Sequence, residues 1–423
     1  MAGSVTGMRA GRATVTVVAR DIALLALRLD RVRPGLIESW TGDPALRRHV
    51  WDEPRPALRE LAAVAERLRR TLEYVDLPPV RRAFLAGELQ ALAYAARETG
   101  GTAAEEIRET YGVVVRPGDP DRYREAHRRV AELLPGSGPL AARLAALRSA
   151  DEVPPPQRTR AIGALAAALR DRCRGVVELP GDEGVRIELV EGRPWSGFTR
   201  YLGAGRSVAR FSADAPLRAG QLARLVAHET YPGHHVEHLH RAAARDPERA
   251  LSLTHGPRAL VVEGAADLAL DAVVGPGWGP WAADVLADAG VRTDGALAEA
   301  LDEAMLPLQH ARLDAALMND PDAARDHLRR WLLLDDARTE RVMRFVTDPR
   351  WRAYTATYVI GLPLVRAFWA GHAPRFRRLL AEPLTPAALV PPAPPGSAAR
   401  PSPERGLTAT DGVDHAMSGR PFC

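Results

Sequence analysis

The chain contains no lysine. All 57 of its basic residues are arginine, set against 53 acids, and the formal net charge is only +4 over 423 residues. The arginines are scattered and interleaved with acids, as compositional drift would leave them. A phosphate-binding surface gathers its cations on one face or stripe, so nucleic acid is not an expected partner. Cysteine is almost absent: Cys173 and Cys423 lie far apart, which excludes a disulfide framework and a cysteine-type metal site and fits a reducing, cytoplasmic compartment. Aromatic residues make up 5% of the chain, so the core must be mostly aliphatic. No uncharged run approaches the roughly 18 apolar residues of a membrane-spanning helix. The moderately apolar stretch 13–29 is interrupted by Arg20, Asp21 and Arg28, and no cleavage-type sequence follows it. No membrane association is expected.

What is abundant is alanine, leucine and helical periodicity, at a length that allows a sizeable core. Apolar spacing predicts helices over 21–31, 56–74, 80–98, 121–134, 139–149 and 155–174, with Pro and Gly between them and a Trp/Pro loop over 40–56. The pattern changes near residue 176. Short β-type runs at 176–179, 185–190 and 207–212 predict a small sheet, and helical periodicity resumes from 217 to about 380. The expected organisation is a flexible leader (1–18), a helical region (19–175), a small sheet with a helical metal-binding region (176–382), and a disordered tail rich in Pro, Ser, Ala and Gly (383–423).

The chemistry concentrates in one segment. His228, His234, His235, His238 and His240 fall within L-A-R-L-V-A-H-E-T-Y-P-G-H-H-V-E-H-L-H. A catalytic zinc site needs three protein ligands, an open position, and a carboxylate placed to take a proton from water. His228 followed by Glu229 supplies a ligand and a base, because the next residue on a helix is turned by about 100°. The usual second histidine would stand at 232, and Pro232 stands there instead. Two arrangements remain open. A bend at Pro232-Gly233 brings His234, or His235, back to the metal. Alternatively His234-His235-Val236-Glu237-His238 is the reversed H-x-x-E-H motif, with Glu237 as base. Further along, Glu263 sits in an apolar helical run, where an unpartnered carboxylate is costly, and is the candidate third ligand. Asp267, one turn later, is placed to hold a ligand histidine. Tyr354 and Tyr358 share a helix face, and a tyrosine hydroxyl suits an oxyanion donor. Arg200 is a candidate for gripping a substrate carboxylate.

H-E-T-Y-P-G-H-H followed by E-G-A-A resembles the bacterial domain-of-unknown-function family numbered 885, whose hallmark is H-E-x-x-P-G-H-H with a downstream E-G-W-A. That family is grouped with the thermolysin-like gluzincin peptidases. The resemblance spans roughly 20–382, with L-I-E-S-W-T-G-D and A-T-Y-V-I-G as secondary matches. Three positions depart from the pattern: Ala265 replaces the tryptophan, Glu237 replaces a glutamine, and only Tyr358 and Gly361 remain of the late motif. The resemblance implies a mainly α, helix-rich gluzincin-like fold with a small sheet beside the metal-bearing helix. It implies His228, His234 and Glu263 as ligands of one zinc ion, Glu229 as base, and a late tyrosine, Tyr358, in the site. The expected activity is hydrolysis of a peptide or amide bond in a peptide or amino-acid-derived substrate. The alternatives are the reversed motif, and a non-catalytic helical scaffold that retains a relic metal site.

Overall fold

The structure, a computed structural model, describes residues 3–97, 101–193 and 195–390, with side chains from residue 15 onward. The chain order is α1 (Gly3–Val32), β1 (Ile37–Trp40), α2 (Pro44–Asp52), α3 (Leu58–Glu73), α4 (Pro79–Ala95), α5 (Ala103–Tyr111), α6 (Pro120–Leu133), α7 (Leu140–Ala150), α8 (Pro155–Cys173), β2 (Gly184–Val190), β3 (Gly197–Gly203) and β4 (Arg206–Ser212). It continues with α9 (Ala219–Glu229), α10 (His234–Ala243), β5 (Leu251–Leu253), α11 (Pro257–Val273), α12 (Trp278–Asp288), α13 (Gly295–Met305), α14 (His310–Leu317), α15 (Pro321–Leu332), α16 (Asp336–Thr347), α17 (Thr355–Trp369), α18 (Ala373–Ala381) and α19 (Pro386–Leu389). The protein is therefore helix-rich with little sheet, as the sequence predicts at that level. Local chemistry sets many of the starts. Asp43, Thr102, Asp119, Asp294, Asp320 and Asp335 each accept a first-turn amide, and proline opens α2, α4, α6, α8 and α15, where its missing N–H costs nothing. Among the described residues no helix is long and apolar enough to cross a membrane.

The described residues form two compact units. The described residues of the first lie within 3–115, 240–262 and 378–390. Its core is built from the stripes Leu61, Leu68 and Leu72 of α3, Leu85, Leu89 and Leu92 of α4, and Leu25 and Leu29 of α1. It also holds an antiparallel ribbon of β1 and β5. The second unit draws on Arg116–Leu239 and Glu263–Arg377 and has its own core, in which Val130 of α6, Leu301 of α13, Leu328 and Trp331 of α15, and Val342 of α16 meet. Its sheet runs β2-β4-β3, with β2 parallel and β3 antiparallel to β4.

Several boundaries differ from the sequence reading. α1 begins at Gly3, inside the expected leader, and Val15 and Val18 are buried, because they continue the three-and-four spacing of Ile22, Leu25 and Leu29. The 40–56 loop contains α2. Residues 176–179 form no strand, the amides of Val176 and Val177 bonding back to the Cys173 carbonyl at the end of α8, whereas β2 and β4 lie where runs 185–190 and 207–212 predict them. β3 went unread, since its Gly-bounded G-F-T-R-Y-L-G reads locally as a turn region. α19 lies past the expected start of the tail, with Leu384 and Leu389 buried. The tail beyond 390 lies outside the described residues.

Candidate metal centre

α9 carries His228 and Glu229 as its last two residues. The chain then turns through Thr230 to Gly233, and α10 begins at His234. Gly233 makes this turn possible: its amide bonds Ala227 O at 3.0 Å, and a Cβ there would lie 1.9 Å from His228 O. The bend therefore folds back onto the last turn of α9. It brings His234 Nε2 to 3.0 Å from His228 Nε2, the first of the two arrangements that the sequence left open.

Glu263 completes the group from α11. Its Oε2 lies 3.5 Å from His228 Nε2 and its Oε1 lies 3.4 Å from His234 Nε2. All three residues are buried, and their ligand atoms fall within 4.8 Å of one another. Ligands at about 2.0–2.1 Å from a tetrahedral zinc stand about 3.3 Å apart, so the three separations fit one ion. Two further observations support that fit. His228 Nδ1 donates to Asp267 Oδ1 at 2.9 Å, which leaves its Nε2 lone pair facing the group. Glu263 Oε2 is buried with no hydrogen-bond partner, a costly state for a carboxylate oxygen that a cation relieves. Burial alone would raise the Glu263 pKa, but His234 and His228 outweigh it and hold the carboxyl at about 2, ionised and ready to ligate. The Tyr354 hydroxyl donates to Glu263 Oε1 at 2.9 Å.

Glu229 is oriented by residues that sequence reasoning missed. The Thr199 hydroxyl, on β3, lies 2.8 Å from Glu229 Oε2 and 2.8 Å from its carbonyl oxygen. Gly197, on the same strand, lies so close that a Cβ would stand 2.6 Å from Glu229 Oε1. Nothing in S-G-F-T marks these residues locally; the contacts span about thirty residues and exist only in the fold.

His235 points away from the metal group, contrary to one of the two options for the second ligand. Its Nε2 is 2.9 Å from Glu183 Oε2 and its Nδ1 is 2.8 Å from Ser207 Oγ. On a helix the neighbour of a ligand faces elsewhere, and here it faces a buried carboxylate. Glu183 also accepts from Tyr231 at 2.7 Å and from Arg170 at 2.6 Å. Burial lowers the His235 pKa, so His235 is a neutral strut that pins α10 to the sheet. Glu237 and His238, the base and second ligand of the reversed motif, are not part of the three-residue group, though the His238 ring lies over His234 at 6.3 Å between centroids. Tyr358 packs on Tyr354, and burial followed by the charges of Glu263 and Asp267 raises its pKa well above the usual tyrosine value. Arg200 is exposed on β3.

A buried ion-pair network holds the bearing helices together. Arg224 of α9 pairs with Asp302 of α13 and, at 3.0 Å, with Asp271 of α11, which also pairs with Arg366 of α17. Gly264 and Gly361 let α11 and α17 touch, since a Cβ on Gly264 would stand 2.5 Å from Gly361 backbone atoms. A cleft is lined by Gly197, Leu222, Leu225, His228 and Glu229, so it reaches one residue of the group and the carboxylate beside it. No protein-family model matches the chain, and no curated protein matches it.

Proposed function

We propose that the protein is a zinc-dependent hydrolase of peptide or amide bonds, with His228, His234 and Glu263 as ligands and Glu229 as general base. The observation that carries this reading is the pairing of a three-ligand buried group with an adjacent carboxylate that Thr199 aims, at the wall of a cleft. Two histidines and one carboxylate form a donor set suited to zinc. When bound, the ion supplies Lewis acidity to a carbonyl oxygen and lowers the pKa of water. The chain's own residues supply the rest. Glu229 accepts the proton of the attacking water and returns it to the leaving amine. Asp267 keeps His228 in the tautomer that presents Nε2. Tyr358, kept protonated by burial, is the donor toward the charge that develops on the carbonyl oxygen. β3 stands at a sheet edge with Gly197 beside Glu229, where an extended peptide can add as a strand. The resemblance to gluzincin peptidases points the same way.

The test is Glu229→Gln. Metal content by mass spectrometry stays at one zinc per chain, while amine release from a peptide library falls to background. Turnover that survives the substitution removes Glu229 from the role of base.

A further inference from the structure

The same cleft that reaches His228 and Glu229 is lined at its other end by Arg218 and Arg338, and an adjoining pocket that shares Arg218 is lined by Arg148. These cations are poorly neutralised. Arg218 Nε is buried without a hydrogen-bond partner. Arg148, 6% exposed, bonds the Leu333 carbonyl at 3.2 Å. Arg338 has one loose contact with Asp335, at 3.7 Å. Arg312 adds a fourth positive charge, which both Arg148 and Arg218 feel. The opposing carboxylates are Asp151, Glu152 and Asp335, and Asp302, which lines both pockets and is paired with Arg224. Asp151 is already bonded to the Gly220 amide at 2.8 Å and the Thr293 hydroxyl at 2.7 Å. Asp335 is exposed and caps α16 through the Arg338 amide, and Glu152 is exposed as well. Burial, and then the neighbouring guanidiniums, push Arg148 down to about 9 and Arg218 to about 10. Both stay charged at neutral pH, so the cluster holds positive charge at a cost that an anion would relieve.

We propose that this end of the cleft is a carboxylate subsite, with Arg218 and Arg338 gripping the free C-terminal carboxylate of a short peptide or acyl amino acid whose amide bond lies at the metal centre. The inference rests on the hydrolase reading above and narrows it to short acidic-ended substrates. Guanidiniums match a carboxylate with paired N–H bonds. The length also fits. Arg218 precedes His228 by ten residues on the α9 axis, a rise of about 15 Å. That rise corresponds to about four extended residues, so a short peptide spans the distance between the Arg218 backbone and His228.

The probe pair is N-acetyl-alanyl-leucine as the free acid and as its C-terminal amide, titrated calorimetrically into zinc-loaded full-length protein carrying Glu229→Gln. The expected result is a free acid that binds at least about tenfold tighter, about 1.4 kcal/mol. Arg218→Gln and Arg338→Gln each bring the acid to the affinity of the amide, with melting temperature and zinc content unchanged. Should Arg218→Gln fail to fold, Arg338→Gln carries the comparison, since Arg338 is tied only loosely to Asp335. Equal binding of acid and amide, or no acid binding at millimolar concentration, overturns the subsite. Hydrolysis by the wild type is scored separately. Acid-selective binding without cleavage removes the hydrolase and leaves the subsite; cleavage of acid and amide at equal rates does the reverse.

Discussion

Glu229 and His228 are neighbours in sequence but depend on different supports, and single substitutions separate them. Thr199 holds the Glu229 carboxylate at 2.8 Å, while Asp267 holds His228 Nδ1 at 2.9 Å. Removing the Thr199 hydroxyl is expected to leave the metal group intact and to free the carboxylate proposed as base. Thr199→Val is expected to lower kcat by about ten- to a hundredfold, part of what a general base contributes, with zinc content unchanged and with recovery in Thr199→Ser. Asp267→Asn is expected to weaken zinc binding by about 10–100-fold, as loss of a histidine's carboxylate partner does, read by competition with a chelator. A common loss of metal in both variants would mean that the two residues belong to one structural support. At this scale the sequence was informative where chemistry is local. A His-Glu pair and a carboxylate in an apolar run announce themselves, and Asp267 follows from helical spacing. Thr199, Gly197, Arg218 and Arg338 do not announce themselves, because an unremarkable residue acquires its role from a contact about thirty residues away, or from the company of other arginines among 57 basic residues.

The decisive element is the turn between α9 and α10. Pro232-Gly233 is legible as a break, but the direction of the bend is not. It is set by Gly233 lying against the α9 backbone and by His235 reaching Glu183 and Ser207 on the far side. Neither contact has a periodic signature, so His234 and His235 could not be told apart from sequence. The same limit explains β3, whose pairing with β4 is a property of the sheet. A side chain at 233 would meet the His228 carbonyl at 1.9 Å, and backbone atoms cannot swing aside as a flexible side chain can. Gly233→Ala is therefore expected to displace His234 and abolish stoichiometric zinc binding, while helix content by circular dichroism is retained. Full zinc occupancy in Gly233→Ala would show that the bend tolerates a Cβ, and that the close approach does not hold His234 in place.

At the scale of the whole molecule, two desolvated titrating groups oppose each other, and both belong to the unit that does not hold the metal group. Glu88 is buried and accepts from the Arg258 amide at 3.4 Å, and burial raises it from 4.5 to about 7 against the weaker pull of Arg258. His255 is half-buried, with its Nδ1 2.8 Å from the Tyr111 hydroxyl, and desolvation lowers it from 6.5 to about 4. Stability rises with pH wherever the unfolded chain binds more protons. For Glu88 the folded state binds more protons between 4.5 and 7, so its contribution falls as pH rises through that window. For His255 the unfolded state binds more between 4 and 6.5, so its contribution rises with pH there. Each shift corresponds to about 3 kcal/mol, and over 4.5–6.5 the two nearly cancel. Substitution exposes them one at a time. Glu88→Gln is expected to gain stability with rising pH across that window and to be more stable than the wild type at pH 8. His255→Asn is expected to lose stability with rising pH over the same range. Denaturant unfolding of the metal-free protein at pH 4.5, 5.5 and 6.5 measures the slopes of both variants against the wild type. Parallel slopes for both variants would mean that these two groups do not govern the pH response of that unit.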